Sequence, residues 1–206
     1  MSGHMSRKGM LVRDRVGAGI LRCVDQVERV FAPMLGLPSW GGVAFHGSMF
    51  HMEFGGPTVR FCELRKMPTH IDGGPQYALS RPVSVFGEWT LSVEQCAWEL
   101  QVGHERLAHS ESEAVTLRRA VRVINGQALS TVTVQSDAVT RFEFDLGAVL
   151  TVTPYDASLR LQEPNLMWSL RLPTNDYFAV RDDRAWSLHD GDSTPDDQEW
   201  HPLAAT

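Results

Sequence analysis

Apolar and polar residues alternate along two short segments, residues 50–55 and 142–147. Each segment reads aromatic, polar, apolar, acidic, apolar, glycine. Because successive side chains of a strand point to opposite faces, this period of two predicts a half-buried strand in each segment. Both strands would end at a glycine, with their apolar residues facing a core and the polar residues between them facing water.

Similar patterns surround both strands. An apolar stripe with helical spacing precedes each one, within residues 17–34 and residues 110–124. A Trp-x-Leu segment follows each one, at residues 98–100 and 168–170. This order predicts an internal duplication in which Gly55 matches Gly147 and Phe54 matches Leu146.

The predicted fold class is α+β, an internally duplicated unit of one helix and an antiparallel β-sheet, with the two halves packed as one compact protein. Strands occur in runs rather than in alternation with helices, which disfavours parallel Rossmann-like or barrel folds. A chain of 206 residues can bury a core without disulfides or metal. The predicted divisions are a tail or tag remnant at 1–16, a first repeat at 17–109, a second repeat at 110–189 and an acidic, flexible tail at 190–206.

Composition narrows the classes of function. A net charge of -6 argues against sequence-independent nucleic-acid binding, which needs clustered basic residues. The sequence contains no run of 18 apolar residues, so it predicts no membrane span. The N-terminus also lacks the apolar region of a signal peptide. We therefore expect a cytoplasmic protein, with its three widely spaced cysteines (Cys23, Cys62 and Cys96) as reduced thiols.

Residues 65–82 are rich in proline and glycine, which predicts a long loop in the first half only. Loops longer than roughly 12 to 15 residues are more often functional than structural filler in compact domains. A large aromatic ring in the glycine-rich turn after Pro38 would also be hard to bury. The candidate ligand-binding residues are therefore Trp40, His70, Asp72, Gln76 and Tyr77. The alternative is that the loop only crosses between two sheet edges.

A metal site is a weaker hypothesis. His51 and Glu53 share one face of their strand, and His46 lies five residues upstream of His51. Imidazole and carboxylate can bind a divalent metal, although a further ligand would be required. A solvated sheet face is the commoner reason for alternating polar residues, so no cofactor is expected.

A thiol-based catalytic site is also weakly indicated. Cys62, His70 and Asp72 supply the residue types of a nucleophile, a base and an orienting acid. No local catalytic signature accompanies them, and free cysteine is among the most buried residue types.

Several short motifs have the character of turns and strand ends, at residues 36–41, 47–48, 53–55, 98, 125–127 and 144–147. Together they resemble the motifs of a group of uncharacterised bacterial proteins, some of which are carried on mobile, integron-type gene cassettes. The similarity would extend over about residues 18 to 188. It implies no activity, because the shared motifs are structural in character.

The leading functional prediction is a non-enzymatic protein that binds a small ligand or peptide in the cleft between its repeats. An acidic, immunity-type interaction module that neutralises a basic toxin by charge complementarity is the alternative. An enzyme with a Cys/His or carboxylate site is third. The expected partner is a small molecule or a protein, not nucleic acid or membrane. The sequence does not decide whether the protein forms a homodimer.

Overall fold

Antiparallel strands make up most of the protein, with 49% of residues in strands and 14% in helices. The fold is therefore more β-rich than the predicted α+β class. A computed structural model describes residues 23–45, 47–63, 65–71, 74–155 and 163–203, of which 23–25, 65–71 and 74–78 are described by their backbone alone.

The larger sheet has seven strands, and every neighbouring pair is antiparallel. In spatial order they are β1 (Ser39–Ala44), β2 (Phe50–Phe54), β7 (Trp89–Val93), β13 (Leu166–Arg171), β14 (Asp176–Arg181), β15 (Ala185–Asp190) and β16 (His201–Pro202).

The smaller sheet has five strands, also all antiparallel. In spatial order they are β10 (Leu129–Val134), β11 (Thr140–Phe144), β12 (Ala148–Thr153), β8 (Ala97–Val102) and β9 (Glu105–His109).

Two helices accompany the sheets, α1 (Cys23–Phe31) and α2 (Ala114–Val123). The ring of Phe31 lies 5.9 Å from Trp168 in the larger sheet and 6.0 Å from Phe142 in the smaller one, so the C-terminal end of α1 contacts both sheets. Helix α2 contacts β1 and β9, an edge strand from each sheet. No helix among the described residues has the length and apolar character needed to cross a bilayer.

The core fills the space between the two sheets. Trp168 is completely buried, and its indole Nε1 donates a hydrogen bond of 2.9 Å to Thr140 Oγ1 in the opposite sheet. The ring of Trp98 in the smaller sheet packs edge-on against Phe50 in the larger sheet, with centroids 5.0 Å apart. The space between the two sheets is therefore occupied by apolar side chains.

The turn that follows each helix is hydrogen-bonded to the strand that follows the other helix. Gly36 and Gly126 have φ values of 84° and 87°, a left-handed conformation that favours glycine. The amide of Gly36 donates to Leu129 O at 2.8 Å, and the amide of Gly126 donates to Ser39 O at 2.7 Å. These reciprocal bonds join the starts of β1 and β10, which lie in different sheets.

A two-stranded ribbon projects between β2 and β7, and we call residues 58–86 the arm. It contains β3 (Thr58–Phe61), β4 (Arg65–Ile71), β5 (Gly74–Ser80) and β6 (Val83–Phe86), with β3 paired to β6 and β4 to β5. The prediction of a long loop at residues 65–82 is therefore wrong. A ribbon of two strands has free edges on both sides, so Pro68 and Pro75 can occupy strand positions without breaking an inner ladder.

Residue 146 departs from the predicted alternation. Phe54 is 0% exposed and Phe144 is 4% exposed, whereas Leu146 lies beyond the end of β11 and is 68% exposed. The strand register places Phe54 opposite Ser39 and Phe144 opposite Leu129. In the paired strands, Phe54 therefore corresponds to Phe144 and not to Leu146.

The C-terminal segment is packed rather than free, in contrast to the expectation of a flexible tail. Strand β16 pairs with β15, and Leu203 joins the core with 8% exposure. A short 3₁₀ helix, Pro195–Asp197, lies between β15 and β16. The burial of Leu203 in the core and the contact of Trp200 with the ring of His189 hold this segment in place. Its acidic composition alone would favour a solvated tail.

We expect Phe54→Ala to lower the free energy of unfolding by about 3 to 5 kcal/mol, because it empties a fully buried position. The matched control Leu146→Ala should change stability by less than about 0.5 kcal/mol, since that side chain is exposed. Urea unfolding followed by tryptophan fluorescence measures both. Equal losses in the two variants would contradict the observed strand register.

Candidate functional site

The outer face of the larger sheet carries polar side chains that alternate with its core residues. A cavity of about 340 Å³ lies on this face where the arm begins and ends, and we call it the arm-base cavity. Its floor comes from β2, β7 and β13, and its wall comes from the arm. The floor and wall include His51, Glu53, Thr90, Arg171, Arg60 and Phe86.

Two guanidinium groups flank one aromatic ring in this cavity. The Cζ atoms of Arg60 and Arg171 lie 5.4 and 5.7 Å from the ring centroid of Phe86. No carboxylate of the described residues lies within 4.0 Å of either guanidinium. Nη1 of Arg171 and all nitrogens of the Arg60 guanidinium also have no hydrogen-bond acceptor in the described part of the chain. The cavity therefore presents positive charge with unused donors.

A buried carboxylate anchors the base of the arm. Glu53 is 3% exposed, and its Oε2 accepts hydrogen bonds from the Gly87 amide at 2.9 Å and from Thr90 Oγ1 at 2.7 Å. Arg171 Nη2 donates to Gly87 O at 2.8 Å and to Thr90 Oγ1 at 2.9 Å. This network joins β2, β7 and β13 to the residue that follows the arm.

A second cavity of about 380 Å³ lies further along the same face, between the sheet and the C-terminal segment, and we call it the tail cavity. Tyr177 lines both cavities. The tail cavity has aromatic walls, because Tyr177 stacks on His189 with centroids 6.0 Å apart and His189 lies 6.4 Å from Trp200. Glu94 and Ser169 also line it, joined by a long hydrogen bond of 3.4 Å.

Burial perturbs two titratable groups of the tail cavity. It raises the pKa of Glu94, an effect that the hydrogen bond from Ser169 partly opposes. Burial also lowers the pKa of His189, against the attraction of Asp176. Arg181 lines the same cavity, but its charge is matched by Asp183 at 2.7 Å.

A third cavity, on the outer face of the smaller sheet, is wider and more open. Its volume is about 590 Å³, and its floor carries Glu99 and Arg106, which form an ion pair at 3.3 Å. Because these opposite charges neutralise each other, this cavity offers less to a charged ligand than the other two.

The predicted binding residues fall into two places. Trp40 lies half-buried in β1, and its indole Nε1 donates to Gly55 O at 2.9 Å near the base of the arm. His70 lies in β4, while Gln76 and Tyr77 lie in β5, so these three belong to the distal part of the arm. Asp72 lies outside the described residues, and the binding role of this set stays a prediction.

The structure gives the proposed metal set no support within the described residues, which contain no group of three ligating side chains. His46 falls outside them. His51 and Glu53 do line the same cavity, as their shared strand face predicts, but Glu53 already accepts two protein hydrogen bonds.

The cysteines differ in environment. Cys96 is fully buried, burial raises its pKa far above the usual thiol range, and its Sγ donates to Met167 O at 3.3 Å. These features make Cys96 an inert core thiol. Cys62 is half-buried in the arm, beside a segment whose side chains the structure does not describe.

The sequence reasoning missed Arg60, Phe86 and Arg171. A signal for Arg171 was present, because Ser169 and Arg171 alternate with the apolar residues of the second Trp-x-Leu segment and so share its outer face. Arg60 and Phe86 carried no such signal, since they come together only when β3 pairs with β6.

Comparisons of the chain with protein families, with curated proteins and with solved structures find no match in any of the three. The resemblance to cassette-borne bacterial proteins stays a prediction.

We expect Glu53→Ala to destabilise the protein by about 1.5 to 3 kcal/mol, the usual effect of losing hydrogen bonds to a buried charged group. Glu143→Ala is the control, because Glu143 takes the corresponding position in β11 but forms an exposed ion pair with Arg141 worth at most about 1 kcal/mol. Thermal and urea unfolding measure the difference. Equal tolerance of both substitutions would mean that the Glu53 network does not anchor the arm.

Proposed function

We propose that this protein is a non-enzymatic binding protein for a small ligand or short peptide that carries an oxyanion. The arm-base cavity is the proposed site, and residues of both predicted repeats, 17–109 and 110–189, line it. The observation that carries the proposal is the pair of guanidinium groups, Arg60 and Arg171, which face one cavity without a carboxylate partner among the described residues.

The chemistry of the cavity supports an oxyanion. Guanidinium groups bind carboxylate and phosphate through paired hydrogen bonds, and Arg60 has all five of its N–H donors available. The Phe86 ring orients both groups, which lowers the entropy lost on binding. A volume of about 340 Å³ lies at the lower end of the range for ligand pockets.

The internal duplication belongs to this proposal, and the strand registers support it. Trp98 lies opposite Val152, while Trp168 lies opposite Val93. Leaving out the arm, the third strand is β7 in the first half and β12 in the second. Each Trp-x-Leu strand pairs with the third strand of the other half, which supports equivalent places for the two. The hydrogen bonds of the two helix-ending turns also correspond. The Gly36 amide of the first half donates to Leu129 of the second half, and the Gly126 amide of the second half donates to Ser39 of the first.

The arm breaks this correspondence, which supports a specialised role for it. In the first half, 29 residues of arm separate β2 from β7, whereas in the second half a short turn joins β11 to β12. Equivalent surfaces in a duplicated protein begin alike, so the element present in one half is where a distinct function can arise. The arm supplies Arg60 and Phe86 to the cavity.

We expect wild-type protein to bind inorganic phosphate or succinate measurably by isothermal titration calorimetry. Arg60→Gln should weaken that binding about tenfold or more, because charge-assisted hydrogen bonds contribute about 1.5 to 3 kcal/mol. Arg118→Gln, on the exposed face of α2, is the charge-matched control and should bind like wild type. The stronger of the two probes identifies the oxyanion. Failure of both probes, or equal weakening by Arg60→Gln and Arg118→Gln, would contradict the proposal.

A second candidate function is protein interaction through the arm, and one observation favours it. Val59 and Val85 are paired across the ribbon and 53% and 49% exposed, and Phe61 and Val83 are paired and 68% and 54% exposed. Two adjacent apolar pairs on one exposed face of a ribbon are typical of an interaction site. This candidate covers both the homodimer and the immunity-type partner expected from the sequence.

Charge favours a second copy of the chain as the occupant. The arm contains four Arg and Lys residues against two Asp and Glu, so its net charge of +2 leaves -8 on the remainder of the chain. The basic arm of one copy therefore complements the acidic body of another.

We expect sedimentation equilibrium to show a dimer that dissociates as salt concentration rises, because surface charge attraction is screened by salt. Phe61→Ser should shift the protein toward monomer, while Leu146→Ser, at an equally exposed position outside the arm, should not. A wild-type protein that stays monomeric would exclude the second copy as the occupant of the arm.

A further inference from the structure

The two cavities of the larger sheet form the ends of one groove. Along β7 and the residue that follows it, the outward positions are Thr90, Ser92 and Glu94, at successive steps of two residues. Thr90 lies opposite Arg171, and Ser92 lies opposite Ser169. The four-residue separation of Thr90 and Glu94 corresponds to about 13 Å along a strand.

The ends of this groove carry opposite charge. At the arm-base end, the cations Arg60 and Arg171 outnumber one carboxylate, Glu53. At the tail end, the carboxylates Glu94 and Glu163 outnumber one cation, Arg181. Glu94 has no Lys or Arg nitrogen within 4.0 Å among the described residues, and its Oε1 has only the long hydrogen bond from Ser169. A half-buried carboxylate without a cationic partner is costly, and a bound cation would offset that cost.

The other groups at the tail end do not compete with a cation. Arg181 is already paired with Asp183 through two hydrogen bonds and stacks on Trp200 at 4.0 Å. The lowered pKa of His189 keeps its ring neutral near pH 7. The electron-rich faces of Tyr177 and His189 add a surface that favours an ammonium group.

We propose that the ligand of this groove is a short peptide with free termini, whose amino group binds beside Glu94 and whose terminal carboxylate binds at Arg60 and Arg171. This inference rests on the proposed oxyanion site and extends it by a cation site. An extended chain spans at most about 3.3 to 3.6 Å per residue, so three or four residues match the length of the groove. The hydroxyl groups of Ser92 and Ser169 lie between the two ends.

Alanine peptides of two to six residues test the length, with binding measured by calorimetry and by the shift in melting temperature. We expect the highest affinity for trialanine or tetraalanine, and lower affinity for dialanine and hexaalanine. N-terminal acetylation and C-terminal amidation of the best peptide should each weaken binding about tenfold or more, since each removes one charged contact. A peptide series without a preferred length, or one in which no member binds, would overturn the proposal.

Two variants test the two ends of the groove one at a time. Glu94→Gln should weaken binding of the free peptide, and acetylation should then have no further effect, while amidation still weakens binding. Arg60→Gln should also weaken binding of the free peptide, but here amidation should have no further effect, while acetylation still weakens binding. Glu105→Gln, an exposed position on β9, is the charge-matched control and should behave as wild type. Glu94→Gln keeps the shape of the side chain, and circular dichroism verifies its fold.

The outcomes distinguish the two proposals. If phosphate or succinate binds in an Arg60-dependent manner but acetylated and free peptides bind equally, the cation site is wrong and the oxyanion site stands. If acetylation weakens binding and Glu94→Gln removes that effect while amidation changes nothing, the oxyanion site is wrong. In that case a cationic ligand, rather than a zwitterionic peptide, occupies the tail cavity.

Discussion

The buried indole of Trp168, in the larger sheet, contacts both the first helix and the smaller sheet. Its ring contacts Phe31 of the first helix and Phe142 of the smaller sheet, and its N–H donates to Thr140 across the core. A buried indole N–H usually has an acceptor, and this hydrogen bond adds a directional contact between the two sheets to the packing of their aromatic rings. Aromatic rings fill the space between the sheets, and the cavities described above lie on the outer surfaces.

The outer face of the larger sheet provides such a surface because its polar residues are held in a network. Glu53, Thr90 and Arg171 share hydrogen bonds with the backbone of Gly87, where the arm returns to the sheet. Each of these groups would be costly to bury alone, and together they satisfy most of one another's donors and acceptors. The donors that remain, on Arg171 and on Arg60, point to a ligand as their partner.

The arm and the C-terminal segment turn this flat sheet face into a groove. The arm forms one wall with Phe86, and the C-terminal segment forms the other with Trp200. An excess of opposite charge occupies each end, and Arg60, Arg171 and Glu94 have no ion-pair partner within 4.0 Å among the described residues. Partly buried charges without an ion-pair partner lower stability, so Arg171 and Glu94 at opposite ends of one groove are better explained by binding than by folding.

The amino-acid pattern alone predicted the strand at residues 50–54, the Phe142–Phe144 part of β11, the glycines that end the helices and the Trp-x-Leu strands, but it wrongly extended the second strand to Leu146. It did so because periodicity records which face of an element is buried. It could not predict that Arg171 would reach Thr90, 81 residues away in sequence, because that contact depends on β7 pairing with β13. Residues 65–82 read as a loop from their prolines, and only pairing within the arm made them strands. Strand partners are chosen by the packing of the whole core, and so the groove, its charges and its walls were decided by the tertiary structure.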